Sequence, residues 1–204
     1  MTQLPKHRLR SLALACGPAL LACSLLSRVT VTATPAATVT PTPPPVIENF
    51  DGSPEALDKL NQALLDNPDG MAQQAQSYLR ADAIKVRFAA VYALSLTADS
   101  SNAEALLPAL QDPDIRLRTI AAGALVGLGR KEGIPVLIAA LGSNELLPLS
   151  HPPRLLSTLA HQALPHYTGQ DFGADPDAAQ AWQAWWDQAG ARLQWDAAAG
   201  RYVP

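Results

Sequence analysis

The chain has 204 residues, with 15 lysines and arginines against 18 aspartates and glutamates, and its formal net charge is −3 at pH 7. This modest acidic balance argues against a nucleic-acid-binding protein, which needs a concentrated basic face to displace counterions. Both cysteines, Cys16 and Cys23, lie near the N-terminus. The remainder of the chain therefore has no disulfide framework.

Residues 1–22 are predicted to be a signal peptide. Three basic residues at 6–10 precede an uncharged, Leu- and Ala-rich stretch at 11–27, which is typical of an export signal. This stretch is at the short limit for spanning roughly 30 Å of hydrocarbon, and Gly17-Pro18 would interrupt a helix in its middle. An uncleaved anchor helix is therefore the second choice.

Residues 20–23, Leu-Leu-Ala-Cys, resemble the lipobox of bacterial lipoproteins, in which a small residue precedes a cysteine. The resemblance implies that Cys23 is lipidated on its sulfur and becomes the mature N-terminus. Processing there would remove the basic residues at 6–10 and change the net charge from −3 to −6. We therefore expect export and membrane anchoring at the bacterial cell envelope through Cys23. The alternatives are an uncleaved helix and ordinary cleavage near 32–34.

Residues 23–48 are expected to form the lipidated N-terminus and a tether. From Thr30 to Pro45 the composition changes to Thr, Pro, Val and Ala, and it ends in three consecutive prolines. Proline fixes its own backbone angle and lacks an amide donor, so such a segment favours an extended polyproline II spacer. At about 3.1 Å per residue the tether would reach up to roughly 50 Å. An inert linker that merely tolerates export is the alternative.

The folded part is predicted to span 49–204 and to be helical almost throughout. Ser53-Pro54-Glu55 supplies a cap, a first-turn proline and a first-turn acid for the first helix. A second, glutamine-rich helix is predicted from Met71 to Arg80. The spacing of four leucines in the first helix predicts a buried stripe, formed by Leu57, Leu60, Leu64 and Leu65.

A near-repeat follows, in which residues 84–94 read IKVRFAAVYAL and residues 115–125 read IRLRTIAAGAL. The repeat period, from position 84 to position 115, is 31 residues. Self-similarity at a period of about 20 to 50 residues indicates a solenoid, in which each helical hairpin buries its apolar face only by stacking on its neighbours. Helices are predicted at 82–96, 102–110, 112–128, 132–141 and from 152 onward.

The second copy begins with Asp112-Pro113-Asp114 and ends in an alanine- and glycine-rich run at 121–129. It closely resembles HEAT-like repeats of the kind named after phycobilin lyase subunits. The resemblance implies an all-α fold, a HEAT-like α-solenoid of antiparallel helical hairpins. Its small residues let hairpins approach closely, and its arginine can meet acceptors of the preceding turn. Arg87 and Arg118 are therefore expected to form an intramolecular ladder, with ligand binding as the alternative.

The segment at 163–188 is similar to the closing segment of many bacterial HEAT-repeat proteins, whose last helix bears tryptophans. Large aromatic side chains cover the open end of a repeat core, so a cap is expected, with a stacking platform for sugars as the alternative. A short β-hairpin is predicted at 193–203. The aspartates of this region lack the calcium-loop pattern, and Asp175-Pro176 predicts a helix cap. The tryptophans of the predicted cap are Trp182, Trp185 and Trp186, and the aspartates compared with a calcium loop are Asp171, Asp175 and Asp177.

No catalytic constellation is recognisable, so we expect a non-enzyme with no cofactor or metal. His151, His161 and His166 are badly spaced for a metal site, and the folded part has no cysteine to complete a set. We expect a non-catalytic scaffold or interaction module that binds an unidentified protein partner in the groove formed by successive second helices. The alternatives are a glycan- or cell-wall-binding envelope protein and, less favoured, a phycobilin-lyase-like enzyme subunit.

Overall fold

The structure, a computed structural model, describes residues 45–97, 100–148, 153–173, 175 and 177–204. Eight α-helices lie within these ranges, and short 3₁₀ segments at Leu107–Gln111 and Lys131–Gly133 follow the fourth helix and precede the sixth. The helices are α1 (Pro54–Asp66), α2 (Pro68–Tyr78), α3 (Ile84–Leu96), α4 (Ser100–Leu106), α5 (Ile115–Gly127), α6 (Ile134–Ala140), α7 (Leu156–Thr168) and α8 (Ala178–Ala189).

Alternate helices form two layers. The first helices of the hairpins, α1, α3, α5 and α7, pack against one another in chain order. The second helices form the other layer, in which α2 packs on α3, the 3₁₀ extension of α4 packs on α5, and α6 packs on α7. Each hairpin therefore buries its apolar face against the next one, and the predicted all-α solenoid is confirmed.

The two copies of the repeat form equivalent helices. Both α3 and α5 have 13 residues, and they begin at the same position of their respective copies. Their paired alanines, Ala89-Ala90 and Ala121-Ala122, are 0 % exposed. Because a methyl side chain adds little radius, neighbouring segments approach closely. An added Cβ at Gly133 would lie only 2.5 Å from the backbone oxygen of Ala122.

The predicted side-chain caps of α1 and α5 are present. Ser53 Oγ accepts a hydrogen bond from the backbone N–H of Ala56 at 3.1 Å, and Asp114 Oδ1 accepts one from the N–H of Arg116 at 2.8 Å. In the degenerate first copy the N-cap of α3 is Ala83, which makes no side-chain bond. The start of α3 therefore lacks the side-chain N-cap that α5 has.

Two predicted details are wrong. Leu65 is not part of the buried stripe, because it is 79 % exposed on α1, the outermost first helix of the described stack. The cap of α8 is Asp177 rather than Asp175, and the Asp177 side chain makes no capping hydrogen bond. The backbone oxygen of Asp175 instead accepts from the N–H of Ala178 at 2.9 Å, so main-chain geometry sets this helix start.

The predicted start of α7 at 152–153 is also wrong, because the residues before Leu156 are paired in an extended conformation. Leu155 forms an isolated antiparallel bridge with Leu146. The N–H of Leu156 donates to the backbone oxygen of Glu145 at 2.8 Å. An insertion between the third and fourth hairpins is therefore closed at its base by main-chain hydrogen bonds.

The predicted C-terminal β-hairpin is confirmed. Strands β1 (Gln194–Asp196) and β2 (Arg201–Val203) pair in antiparallel register, with Trp195 opposite Tyr202. Tyr202 is 3 % exposed, and β2 packs on α7. The hairpin thus extends the core beyond the last helix.

None of the helices in the described part of the chain is long and apolar enough to cross a membrane. The predicted signal peptide, Cys23 and nearly all of the tether lie outside the described residues.

Candidate interaction surface

Arg87 ties two successive repeats together. From α3, its Nε and Nη2 donate to Asp112 Oδ2 and Oδ1 at 2.8 and 3.3 Å. Its Nη1 donates to the backbone oxygens of Ala81 and Asp82, both at 2.9 Å. The side chains of Arg87 and Asp112 are only 13 % and 8 % exposed. A two-point, charge-assisted contact with so little solvent fixes orientation as well as distance, so the predicted intramolecular ladder is confirmed here.

Arg118 makes the backbone contacts that Arg87 makes, but not the ion pair. Its Nη1 donates to the backbone oxygens of Asp112 and Pro113 at 2.7 and 3.1 Å, and these two residues correspond to Ala81 and Asp82 of the preceding copy. Within the described ranges, no carboxylate lies at salt-bridge distance from its guanidinium. The ladder therefore continues to the carbonyl groups but ends without an ion pair.

The second-helix layer carries an open groove of about 640 Å³ between α2 and α4 with its 3₁₀ extension. Arg80 and Gln111 are exposed at its edge, and Arg87 and Asp112 form part of its floor. Arg80 makes no hydrogen bond or ion pair within the described part of the chain. This groove lies where the sequence predicts a working surface.

A smaller groove of about 310 Å³ lies on the first-helix side, at the N-terminal ends of α3 and α5. Its lining is mainly apolar and includes Phe50, Phe88 and Leu117, with the charged side chains of Lys85 and Arg116 beside them. Both charges are already engaged, since Lys85 Nζ donates to the backbone oxygen of Asp51 at 2.6 Å and Arg116 pairs with Asp114 at 2.5 Å. This groove offers less polar contact than the larger one.

The tryptophan helix α8 closes the stack. Trp182 is 1 % exposed and meets Phe172 and Trp185 edge to face, with ring centroids 4.9 and 5.5 Å apart. Trp185 and Trp186 are half-buried against the core. A sugar-stacking platform needs open ring faces, which Trp182 does not have. The geometry at Trp182 is therefore that of the predicted cap.

Two residues make contacts with the C-terminal segment that the sequence does not predict. Lys131 Nζ donates to the backbone oxygens of Gly190, Ala191 and Leu193 at 2.9, 3.1 and 3.2 Å, so it satisfies the carbonyl groups that follow α8. Gly129 has φ +79°, and an added Cβ there would lie 2.7 Å from the Trp195 ring. A glycine that ends a helix is a recognisable signal, but its aromatic partner is far away in the sequence.

The candidate metal-binding side chains do not form a cluster among the described residues. The described residues contain no group of three His, Cys, Asp or Glu side chains that could hold a metal ion. Asp171 Oδ1 accepts from the N–H of Gly173 at 2.8 Å, as in an ordinary turn, and His166 packs edge-on against Tyr167 with centroids 4.6 Å apart. His151, Cys16 and Cys23 lie outside the described residues.

The perturbed acids are also structural. Hydrogen bonds from Arg116 hold the pKa of Asp114 below its usual value, and hydrogen bonds from Arg130 do the same for the pKa of Glu132. Arg130 also pairs with Glu104, which joins α4 to the turn after α5. These shifts favour the charged carboxylates, whereas a general acid at neutral pH requires a raised pKa.

The fold and this surface define a class of protein, an α-solenoid of stacked helical hairpins. Residues 75–147, which include both copies of the repeat, match the family of HEAT repeats. This match supports the interpretation of the stacked hairpins as HEAT repeats. No curated protein and no solved structure matches the chain.

Proposed function

We propose that the protein is a non-catalytic protein-interaction or scaffolding module, displayed at the bacterial cell envelope by a lipid on Cys23. The observation that carries the proposal is the HEAT match at 75–147, because stacked repeats of this kind present extended surfaces that commonly bind other proteins. The resemblance of the second copy to phycobilin-lyase-type repeats specifies the repeat type within this proposal.

The second-helix groove is the proposed binding surface. It is open and has a volume of about 640 Å³, with the exposed Arg80 at its edge. Arginine is enriched at protein interfaces because its planar head makes several directed hydrogen bonds while its stem packs. The fixed ion pair between Arg87 and Asp112 makes the groove floor rigid, which lowers the ordering cost of binding.

Display at the envelope rests on the sequence. The lipobox-like residues at 20–23 supply the anchor, and the Thr- and Pro-rich stretch at 30–45 supplies the spacer. A lipid and a spacer of up to roughly 50 Å are useful together when a partner must be met away from the bilayer surface.

A cross-linked capture from envelopes of the source organism tests the interaction. We expect the full-length protein to recover a defined protein partner, and the groove variant Arg80→Glu to lose it. Lys59→Glu is the matched control, because Lys59 is also exposed and undergoes the same charge change on α1. Equal recovery by both variants, or recovery of wall polymer without protein, would contradict the proposal.

Fractionation tests the anchor separately. Cys23→Ser removes the sulfur that would carry the lipid, so the variant is expected in the soluble fraction while the parent protein stays with membranes. Retention of Cys23→Ser in membranes would contradict lipidation and favour an uncleaved helix.

A further inference from the structure

The turns that follow the second helices repeat with the same spacing as the helices. The N–H of Asp112 donates to the backbone oxygen of Ala109 at 3.2 Å, and the N–H of Ser143 donates to that of Ala140 at 3.0 Å. Ala140 and Ser143 follow Ala109 and Asp112 by one repeat period in the sequence. The hydrogen bond that closes the turn after α6 is therefore equivalent to the one after the 3₁₀ extension of α4.

The side chains of these two turns make the same local bond. Asp112 Oδ1 accepts from the N–H of Asp114 at 2.9 Å, and Ser143 Oγ accepts from the N–H of Glu145 at 3.2 Å. Ser143 therefore occupies the place that Asp112 holds one repeat earlier. The difference is that a short neutral hydroxyl replaces a carboxylate.

Because Ser143 replaces an aspartate, the Nε and Nη2 edge of Arg118 lacks the carboxylate that Arg87 binds. Arg118 is the equivalent of Arg87 in the second copy and is partly exposed, and within the described ranges its Nε and Nη2 find no acceptor. The loop residues 149–152 are Leu, Ser, His and Pro, so they contain no carboxylate. The repeat thus builds a carboxylate-binding position that no carboxylate of the described residues fills.

We infer that the Nε and Nη2 edge of Arg118, which lies one repeat beyond Arg87 of the groove floor, anchors an Asp or Glu side chain of a bound acidic peptide segment. This inference rests on the proposed function and specifies the chemistry of its partner. The Nη1 contacts with the backbone oxygens of Asp112 and Pro113 already orient the guanidinium. A partner carboxylate then gains two charge-assisted hydrogen bonds with little further loss of side-chain freedom.

A carboxylate is the ligand because the same edge of Arg87 holds one, in the same backbone setting. The net charge, −3 for the whole chain and −6 after the proposed processing at Cys23, opposes the approach of an acidic segment. At physiological ionic strength this repulsion is screened beyond about 8 Å, so the local contact decides the affinity.

The first test supplies the carboxylate from the protein itself, by a substitution at Ser143. Ser143→Asp places a carboxylate where Asp112 stands one repeat earlier, so it should pair with Arg118 and raise the Tm by about 2–4 °C. Ser143→Asn is the matched control, since it keeps the turn acceptor without the charge. An unchanged or lower Tm for Ser143→Asp relative to Ser143→Asn would overturn the inference.

Binding provides the second test, with a displayed library of random 12-residue peptides selected on the immobilised full-length protein. We expect the selected peptides to share an Asp or Glu, and to bind Ser143→Asp on the order of thirtyfold more weakly than the parent. Replacing that acid by its amide should cause a similar loss.

The outcomes separate this inference from the proposed function. Peptides without a shared acid, or binding that survives Ser143→Asp, would overturn the role of Arg118 while leaving a peptide-binding scaffold in place. A library that yields no binder would also overturn the inference, whereas the envelope capture would still decide the scaffold function.

Discussion

Arg87 Nε lies 2.8 Å from Asp112 Oδ2, so a side chain of one repeat is bonded to the turn that opens the next. The same guanidinium also binds two backbone oxygens of its own turn. One side chain therefore fixes the spacing of two successive turns. In the first copy of the repeat, this contact gives the arginine that follows Val86 a structural role.

Breaking this pair should destabilise the whole stack. Arg87→Gln leaves Asp112 as a largely buried, unpaired carboxylate, and we expect a loss of about 3 kcal/mol in the free energy of unfolding. Asp112→Asn retains the turn acceptor and should lose a similar amount. Urea denaturation monitored by circular dichroism measures both values.

The double variant Arg87→Gln/Asp112→Asn is the control for direct pairing. Because the contact is lost only once, the double variant should be less destabilised than the sum of the single variants. Strict additivity would show that the two side chains act independently.

The alanines of the repeat make a different prediction. Ala121 is 0 % exposed between α5 and its neighbours, so Ala121→Asp places a charge without a partner in the core. We expect a loss of more than about 4 kcal/mol, or failure to fold. Ala139→Asp on the exposed side of α6 is the matched control and should unfold near the parent temperature. Equal melting temperatures for the parent and Ala121→Asp would contradict the repeat register.

Features that repeat or act locally could be predicted from the sequence. The repeat period places α3 and α5, because equal sequence separation in a solenoid gives equivalent backbone positions. The caps Ser53 and Asp114 were predictable because the N–H groups that they accept from lie two or three residues away. Arg87 was predictable as an intramolecular contact from its place in the motif.

Contacts between distant segments were not predictable. Lys131 meets backbone oxygens 59 to 62 residues away, and no local pattern marks a lysine for this role. Leu65 fits a helical apolar stripe but is exposed among the described residues. Helical spacing predicts which residues share a face, and it does not show whether another segment covers that face. The equivalence of Ser143 and Asp112 is visible only in the structure, where both side chains accept a hydrogen bond from the backbone N–H two residues later.

Gly129 should be intolerant of any side chain. It has φ +79°, and an added Cβ would lie 2.7 Å from the Trp195 ring, so Gly129→Ala combines backbone strain with a steric clash. Gly200 is the matched control, since its φ is +61° and no atom lies within 4 Å of an added Cβ. We expect Gly200→Ala to cost about 1 kcal/mol and Gly129→Ala at least about 2 kcal/mol. Equal losses in thermal melts would show that Trp195 moves aside freely.

The buried phenol of Tyr202 predicts a loss of stability at alkaline pH. Burial raises the pKa of Tyr202 above its usual value of 10.0, and its hydroxyl donates to the backbone oxygen of Val126 at 3.4 Å. Above pH 10 the unfolded chain releases this proton while the folded chain keeps it. The folded state then binds more protons, so the free energy of unfolding falls as pH rises, by up to about 1.4 kcal/mol per pH unit.

Tyr202→Phe removes this proton and should flatten the alkaline decline. Urea denaturation at several pH values between 8 and 11 compares its slope with that of the parent protein. Tyr92→Phe is the control, because Tyr92 is only partly buried and its hydroxyl donates to Asn61 Oδ1. A parent-like decline in Tyr202→Phe would assign the alkaline loss to other groups. A decline removed by Tyr202→Phe but not by Tyr92→Phe would show that the C-terminal hairpin remains docked on the repeat core while the phenol is protonated.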